Sequence, residues 1–437
     1  MTPIIPTLEE EFRARLEATA HSVHRRERFP DTDLIKVVVG MRRSGKTYFL
    51  LQTARELVRD GVPLDRILYI NFEDDRILPL DHKGMGQLID GWYSLHPGHH
   101  DQTCYLLLDE VQNVEEWALV LRRLIDTKKV QIYVTGSSAK LLSKEIATSL
   151  RGRSLSLEML PYSYVEYLEA HQLQLPSSPL GQRQLDLQRA QFLEYFHIGG
   201  FPGVQSIDPT ERIEVLQGYV ETVIFRDIVE RHQVRDVALL KYLIKVLLKN
   251  SGAPFSISKF GKDIKSQGYS VGRDTLYTYL SYLEDAFLVF TVPIFTESLR
   301  QAQTTPKKIY AIDNGLVGAN TFSVSECLGK QFENQVYLDL RRQGKQVYYH
   351  HTSEGYEVDF VTQDRLGQWE LLQVVWDATD PQTLEREERA LRRAQEELGI
   401  PGKLLDLPTY LGEWTRSQRT KGRPREDPIG VQHISLS

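Results

Sequence analysis

Short continuous apolar runs alternate along the first part of the chain with longer stretches in which apolar residues recur every three or four positions. The runs read as buried strands and the longer stretches as helices. Residues 8–27 have a polar helical pattern. Leu34, Ile35, Val37, Val38 and Val39 form a strand-like run, followed by a Gly-rich turn and a helical stretch over about 46–60. "RILYINFED", "TCYLLLDEV", "VQIYVTGSS" and "SLSLEMLPYS" are further strand-like runs, and "VEEWALVLRRLIDTKK" is typical of the helical sequence between them. Strands alternating with helices predict the α/β class, with a parallel sheet and helical crossovers over residues 1–180. The polar stretch "HQLQLPSSPLGQRQLD" closes that domain. Residues 181–236 read as a helical lid, broken by "GGFPG" at 199–203.

After residue 237 the rhythm changes. "VALLKYLIKVLLKN" is an amphipathic helix, "SISKFGKDIKSQG" opens on Ser and closes on Gly as a capped helix does, and "SVGRDTLYTYLSYLEDAFL" is a third helix. "LVFTVPIF" and "KKIYAIDNGL" then read as a hairpin. Three helices followed by a two-strand wing predict a winged helix-turn-helix over 237–318. Residues 319–412 give helix, three strands and helix, a small α/β domain. The tail 413–437, with "RSQRTKGRPRED", is basic and rich in breakers, and is expected to be disordered.

Composition narrows the classes. A hydrophobic content of 41% and a charged content of 26% are those of a globular chain. The formal charge of −6 excludes a chain coated along its length for nucleic acid and leaves room for local basic patches. Cys104 and Cys327 lie far apart and have no metal-ligand spacing, which fits a reducing compartment. The first residues lack a secretory pattern, and the longest apolar run, "AFLVFTVPIF", is too short to span a bilayer. A cytoplasmic protein without membrane contact is expected.

The chemistry begins at "VVVGMRRSGKTYFL", where G-x-x-x-x-G-K-T follows a strand and opens a helix. Gly40 permits the tight turn and Gly45 lets backbone N–H groups approach phosphate oxygens. Lys46 reaches the β- and γ-phosphates and Thr47 can ligate Mg²⁺. Arg43, Ser44 and Tyr48 complete the candidate ATP-binding set. "CYLLLDE" ends in Asp109, placed to hold Mg²⁺ with Thr47, and Glu110, placed to polarise the attacking water. "VTGSS" ends in Ser137, suited either to the lytic water or γ-phosphate or to a helix N-cap. Arg151 and Arg153 in "SLRGRSLSLEML" sit before a strand, where they read as arginine fingers toward a neighbouring subunit or as caps of the preceding helix. Arg42 and Arg43 exceed what phosphate cradling needs, and face a neighbouring subunit, DNA or solvent.

"GMRRSGKT", "YLLLDEVQNVEEW", "VTGSSAKLLSKEIATSLRGRS" and "LPYSYVEYL", in that order, resemble a bacterial and archaeal family of AAA+ ATPases. Its members join such a domain to a C-terminal domain of unknown function. "GGFPG", "FRDIVER" and "GKQFENQVYLDLRR" extend the resemblance over nearly the whole chain. It implies ATP binding and hydrolysis by Lys46, Thr47, Asp109 and Glu110, and assembly into a ring. For the lid arginine that senses nucleotide, Arg226 in "FRDIVER" is a candidate; a surface pair with Glu230 is the alternative.

What the fuel drives rests on the later units. Lys241, Lys245 and Lys249 fall on one helix face, Lys259, Lys262 and Lys265 stripe the next helix, and Arg273 opens the recognition helix. Lys307 and Lys308 lie near the wing, and residues 237–310 carry a net charge of about +5. These groups predict salt-dependent phosphate contacts, with Lys245, Lys259, Lys262, Arg273, Lys307 and Lys308 as the candidate DNA-binding set. Solvated helix faces are the plainer reading. The last unit resembles the PD-(D/E)xK nuclease fold through Glu333, Asp359 and "ELLQV". It departs from it at Gln373, where the Lys would stand, and at Leu371, where the second carboxylate would stand. A nuclease-like fold without strong cleavage is expected, with Glu333 and Asp359 otherwise a structural pair or cap. The sequence thus points to an ATP- and Mg²⁺-dependent homo-oligomer, a hexameric ring, that translocates or remodels DNA. Branch migration of Holliday junctions is one concrete form. A nucleotide-controlled switch that binds a protein, or an ATP-gated nuclease, are the alternatives.

Overall fold

The computed structural model describes residues 2–138, 150–174, 181–321 and 328–414. Strands β1 (Ile35–Val39), β2 (Ile67–Asn71), β3 (Cys104–Asp109), β4 (Val130–Gly136) and β5 (Ser154–Glu158) form one parallel sheet in the order β2-β3-β4-β1-β5. Every residue of β1 is buried, as expected where helices cover both faces of a parallel strand. Placing β1 between β4 and β5 sets the turn after Val39 within the sheet's C-terminal edge, with strands on both sides. Ligands of open α/β sheets bind at that edge.

Around this sheet the helices start where local chemistry permits. Asp81 accepts the Gly84 N–H at 2.8 Å to cap His82–Leu95. Ser163 and Glu166 form a reciprocal capping box on Tyr164–Ala170. The N-terminal helix is Ile5–Ala18 and buries Ile5, Leu8, Phe12 and Leu16. It is therefore shorter than the pattern over 8–27 predicts. Beyond it the chain is non-helical at Arg25, which is only 2% exposed.

Beyond residue 181, Gln182–Ile198 and Pro209–Thr222 flank the "GGFPG" break, and the second helix runs on through a π-helical Val223–Val229. Helices Val237–Lys249, Ile257–Ser266 and Arg273–Asp285 follow. With them is an antiparallel sheet of β6 (Ala253–Phe255), β7 (Val289–Val292) and β8 (Lys307–Ala311), ordered β6-β8-β7. The pair β7–β8 is the hairpin the sequence predicts, with an added short helix, Leu299–Thr304, in its loop. The three-residue β6 has no sequence signal of its own.

Helix Leu328–Arg342 leads into a four-stranded sheet, β12-β11-β10-β9, made of Gln346–His351 (β9), Glu357–Gln363 (β10), Trp369–Val375 (β11) and Gly402–Asp406 (β12). Helix Pro381–Leu398 is the crossover that lets β12 run parallel to β11. Of the basic tail 413–437, residues 415–437 lie outside the described residues, as does Cys327; Cys104 is a buried free thiol. Among the described residues no helix is long and apolar enough to cross a membrane.

The units are packed onto one another. Arg341 pairs with Glu158 at the end of β5 (2.8 Å), and Arg342 donates to the Pro161 carbonyl (2.8 Å). Asp313 accepts from the Gly200 N–H (2.6 Å) and the Leu316 N–H (2.8 Å), pinning the "GGFPG" turn to the end of the three-stranded sheet. Burial pushes its carboxyl up to about 6, against the N–H groups that lower it.

Candidate functional site

The end of β1 carries the first half of the site. Gly45, with φ 104, lies in a region that L-residues rarely adopt, and helix Lys46–Arg59 begins directly after it. A Cβ on Gly45 would meet Arg25 Nη1 at 2.9 Å. Arg25 braces the loop from below: its Nη1 donates to the Ser44 carbonyl (2.8 Å), its Nη2 to the Leu160 carbonyl (2.7 Å), and its Nε to Glu166 (3.0 Å). Lys46 is buried, with Nζ donating to the Gly40 (3.1 Å) and Met41 (3.2 Å) carbonyls and standing 3.4 Å from Glu110. Ser44 is buried within the loop, and Tyr48 is half-exposed on the first turn of the helix.

The neighbouring strand ends supply the second half. Thr47 Oγ1 donates to Asp109 Oδ2 at 2.7 Å, Tyr69 Oη donates to the same oxygen at 2.9 Å, and Thr135 donates to Asp109 Oδ1. Burial raises the Asp109 carboxyl, as does the adjacent Glu110, while these three hydroxyls oppose the shift. Glu110 leaves the strand with φ 54, its N–H donated to Thr135 Oγ1 at 2.9 Å. Burial pushes its carboxyl up, but the Lys46 ammonium and the Gln112 amide outweigh burial and hold it below the ordinary range. Gln112 also donates to Ser137 Oγ at 3.3 Å. The helix N-cap reading of Ser137 concerns residues 139–149, which lie outside the described residues. An oxygen donor set of Thr47 and Asp109 beside a lysine suits a hard cation held with phosphate, so these residues fit ATP with Mg²⁺.

Two arginines of the loop are accounted for inside the chain. Arg42 donates through Nε to both carboxylate oxygens of Asp227 (3.0 and 3.1 Å) and through Nη1 to Glu73 (2.7 Å). Arg43, at φ 66, lies over the Tyr219 ring, 4.4 Å from its centroid. Arg42 therefore answers carboxylates of its own chain, while Arg43 stays exposed to solvent, one of the readings the sequence suggests. Arg226 is exposed and pairs with Glu230 at 3.2 Å, so the residue of "FRDIVER" that reaches the site is its neighbour Asp227. The signal was an acid at a helical position otherwise lined by Val223, Ile224 and Ile228. Thr135, Tyr69 and Arg25 had no sequence signal, because only the fold brings them to the site, and Gln112, two residues after Glu110, belongs to no recognised pattern.

Arg151 and Arg153 sit far from this cluster. The Ile35 N–H donates to the Arg153 carbonyl (3.0 Å), so both precede β5 beside the start of β1. Five strand residues separate that end from the phosphate loop, roughly 16 Å of rise. Arg153 pairs with Asp126 at the surface, and Arg151 is exposed with φ 52.

In the three-helix unit, Lys245, Lys259, Lys262, Lys265, Arg273 and Lys307 are exposed, while Lys241 pairs with Glu221 at 2.6 Å. Lys308 is not on that surface. It is fully buried, with Nζ 2.9 Å from Glu333, 3.2 Å from Asp359 and 2.7 Å from Glu357. Side chains alternate along β8, so Lys307 faces water and Lys308 faces helix Leu328–Arg342 and β10. The lysine thus occupies the carboxylates that resemble the nuclease site. Gln373 instead donates to Glu387 (2.7 Å) and accepts the Asp359 N–H (3.2 Å). Burial and the Glu333 charge push Asp359 up to about 7, and Lys308 lowers it only in part. Among the described residues no group of three or more His, Cys, Asp or Glu side chains is placed to hold a metal ion.

Residues 32–168 match a family model described as an AAA domain, and residues 189–324 match one described as a domain of unknown function (DUF8612). The uncharacterized protein MJ1544 of Methanocaldococcus jannaschii is 34% identical over 388 residues, which is 87% of this chain and 82% of that protein. An uncharacterized protein of Haemophilus influenzae is 32% identical over 320 residues, 73% of this chain and 77% of that one. Among solved structures, the Aeropyrum pernix Orc1 protein in complex with DNA aligns at 15% identity with a TM-score of 0.29, over 71% of this chain and 91% of that one.

Proposed function

The chain belongs to the same family as MJ1544, and from that premise and the AAA-domain match of residues 32–168 we propose that it is an AAA+ ATPase that hydrolyses ATP in a ring and spends the energy on DNA. The observation that carries the hydrolytic part is the meeting of Lys46, Thr47, Asp109 and Glu110 at one sheet edge. Lys46 leaves the Gly40 and Met41 carbonyls for the β- and γ-phosphates, guided by its charge and the loop's N–H groups. Thr47 and Asp109 would hold Mg²⁺, whose charge would offset that of the phosphates. Glu110, kept ionised by Lys46, accepts a hydrogen bond from the attacking water, and Ser137 orients that water or the γ-phosphate.

Assembly is supported by the position of Arg151 and Arg153. At the opposite end of β1 from their own phosphate loop, they reach a γ-phosphate only in a neighbouring subunit. DNA is supported by the exposed cations on the three-helix unit, which we read as a winged helix-turn-helix: Lys245, Lys259, Lys262, Arg273 and Lys307 would neutralise phosphates without reading sequence. The Glu333, Asp359 and Lys308 cluster we read as an internal ion cluster that joins the wing to a nuclease-like sheet.

The test is the ATPase rate of the full chain against single-stranded, duplex and four-way DNA at low salt, with particle mass measured in ATP. Stimulation that falls steeply with salt, by a ring-sized particle, is the expected result. A rate indifferent to every DNA, with no DNA bound at low salt, overturns the DNA reading and leaves a nucleotide-controlled switch.

A further inference from the structure

Asp227 is a carboxylate that the helical segment after "GGFPG" brings to the phosphate loop. It lies 185 residues from Arg42 in sequence and is 3% exposed. A carboxylate buried on a helix among Val223, Ile224 and Ile228 is costly unless a cation meets it. Were stability the only requirement, an apolar pair would serve as well as Arg42 and Asp227. The segment that carries it, Val223–Val229, is π-helical, a rare geometry that re-aims side chains and recurs at functional sites.

The partners of Asp227 are the notable part. Arg42 holds both its oxygens from inside the phosphate loop, between Gly40 and Gly45. Ser137 Oγ donates to Oδ1 at 3.4 Å, and Gln112 joins Ser137 to Glu110. The charges of Arg231 and Lys46 also act on Asp227, against the burial that raises its carboxyl. One polar chain therefore runs Glu110–Gln112–Ser137–Asp227–Arg42, from the base to the lid helix.

We propose that Asp227 is a nucleotide-sensing positioning residue that distinguishes ATP from ADP. The proposal rests on the ATPase reading above. Asp227 and a γ-phosphate are both anions that compete for Arg42 and Ser137. With ADP the carboxylate keeps both partners and the lid helix stays docked. With ATP the like charges repel, Arg42 is shared away, and the helix Pro209–Val229 loosens from the loop. Asp227 thereby converts the presence of one phosphate into a movement of the unit that follows it.

Affinities of the full chain for ADP and for the slowly hydrolysed analogue ATPγS, both with Mg²⁺, test this by calorimetry. Asp227→Asn removes the repulsion, so its preference for ATPγS over ADP should rise by about tenfold relative to wild type. Asp227→Glu should restore the wild-type ratio. A ratio for Asp227→Asn within about twofold of wild type overturns the proposal. Should Asp227→Asn not fold, hydrogen exchange on wild type decides: residues 223–229 should exchange faster with ATPγS than with ADP, and equal protection overturns it. Wild type that binds neither nucleotide would instead remove the ATPase reading itself.

Discussion

Lys308 shows how far one residue's role depends on what faces it. In sequence it is half of a basic pair beside a wing; in space it is fully buried and paired with Glu333, Glu357 and Asp359. Burial lowers its basicity, but three carboxylates raise it further and keep it charged. Lys308→Met leaves those acids without a counter-charge and should cost about 3–5 kcal/mol in urea unfolding. Asp359 titrates in the same cluster. Its folded carboxyl lies at about 7 against ~4 when unfolded, so the folded state holds the extra proton between those values. Its contribution to stability is full below pH ~4 and is lost as pH rises through about 7. Asp359→Asn should remove that part of the decline, read as a flatter profile of unfolding free energy from pH 4 to 7. At the ATP site, Glu110→Gln should bind ATP and retain it unhydrolysed; normal turnover by this variant refutes its role as base. Lys46, Thr47, Asp109 and Glu110 were legible because the phosphate loop and the strand-end acids are local patterns. Asp227, Thr135 and Arg25 were not, because their partners lie tens to hundreds of residues away.

At the scale of elements, β1, β2 and β3 were readable because each is a largely apolar run with nearly every residue buried, whereas β5, at the sheet edge, alternates serine with leucine and is only partly buried. β6 and β12 were not: one is three residues long, and the other follows a long crossover helix. "GGFPG" is the element whose reason only packing supplies. A Cβ on Gly200 would fall 2.3 Å from the Tyr162 carbonyl oxygen and 3.0 Å from its nitrogen. Gly200 and Tyr162 are in turn joined by a 2.6 Å backbone hydrogen bond. The obstacle is backbone, which cannot swing aside, so Gly200→Ala should destabilise by roughly 1–3 kcal/mol and loosen the tie between the sheet domain and the units after it. Thermal unfolding and protease sensitivity around residues 199–203 measure both effects.

For the whole molecule, the strand order β2-β3-β4-β1-β5 places the phosphate loop and the arginines before β5 at opposite ends of one strand pair. That separation makes the ring reading testable. Arg153→Ala should keep nucleotide binding and ATP-dependent mass while losing about 10³-fold or more in hydrolysis. Mixing it with Lys46→Ala should restore activity, because each inactive variant supplies what its neighbour lacks. No restoration would mean that Arg153 acts, if at all, within its own subunit.

By itself the sequence determined the α/β class, the phosphate loop and its acids, the helical middle and the basic three-helix unit. These are set by local periodicity and by residues adjacent in the chain. Only the tertiary structure decided that Arg42 answers Asp227, that Arg25 braces the loop, and that Lys308 is internal and already engaged with Glu333, Glu357 and Asp359. Buried charges choose their partners across the fold, because an ion out of water must find its counter-charge wherever packing brings one. No pattern along the chain records that choice.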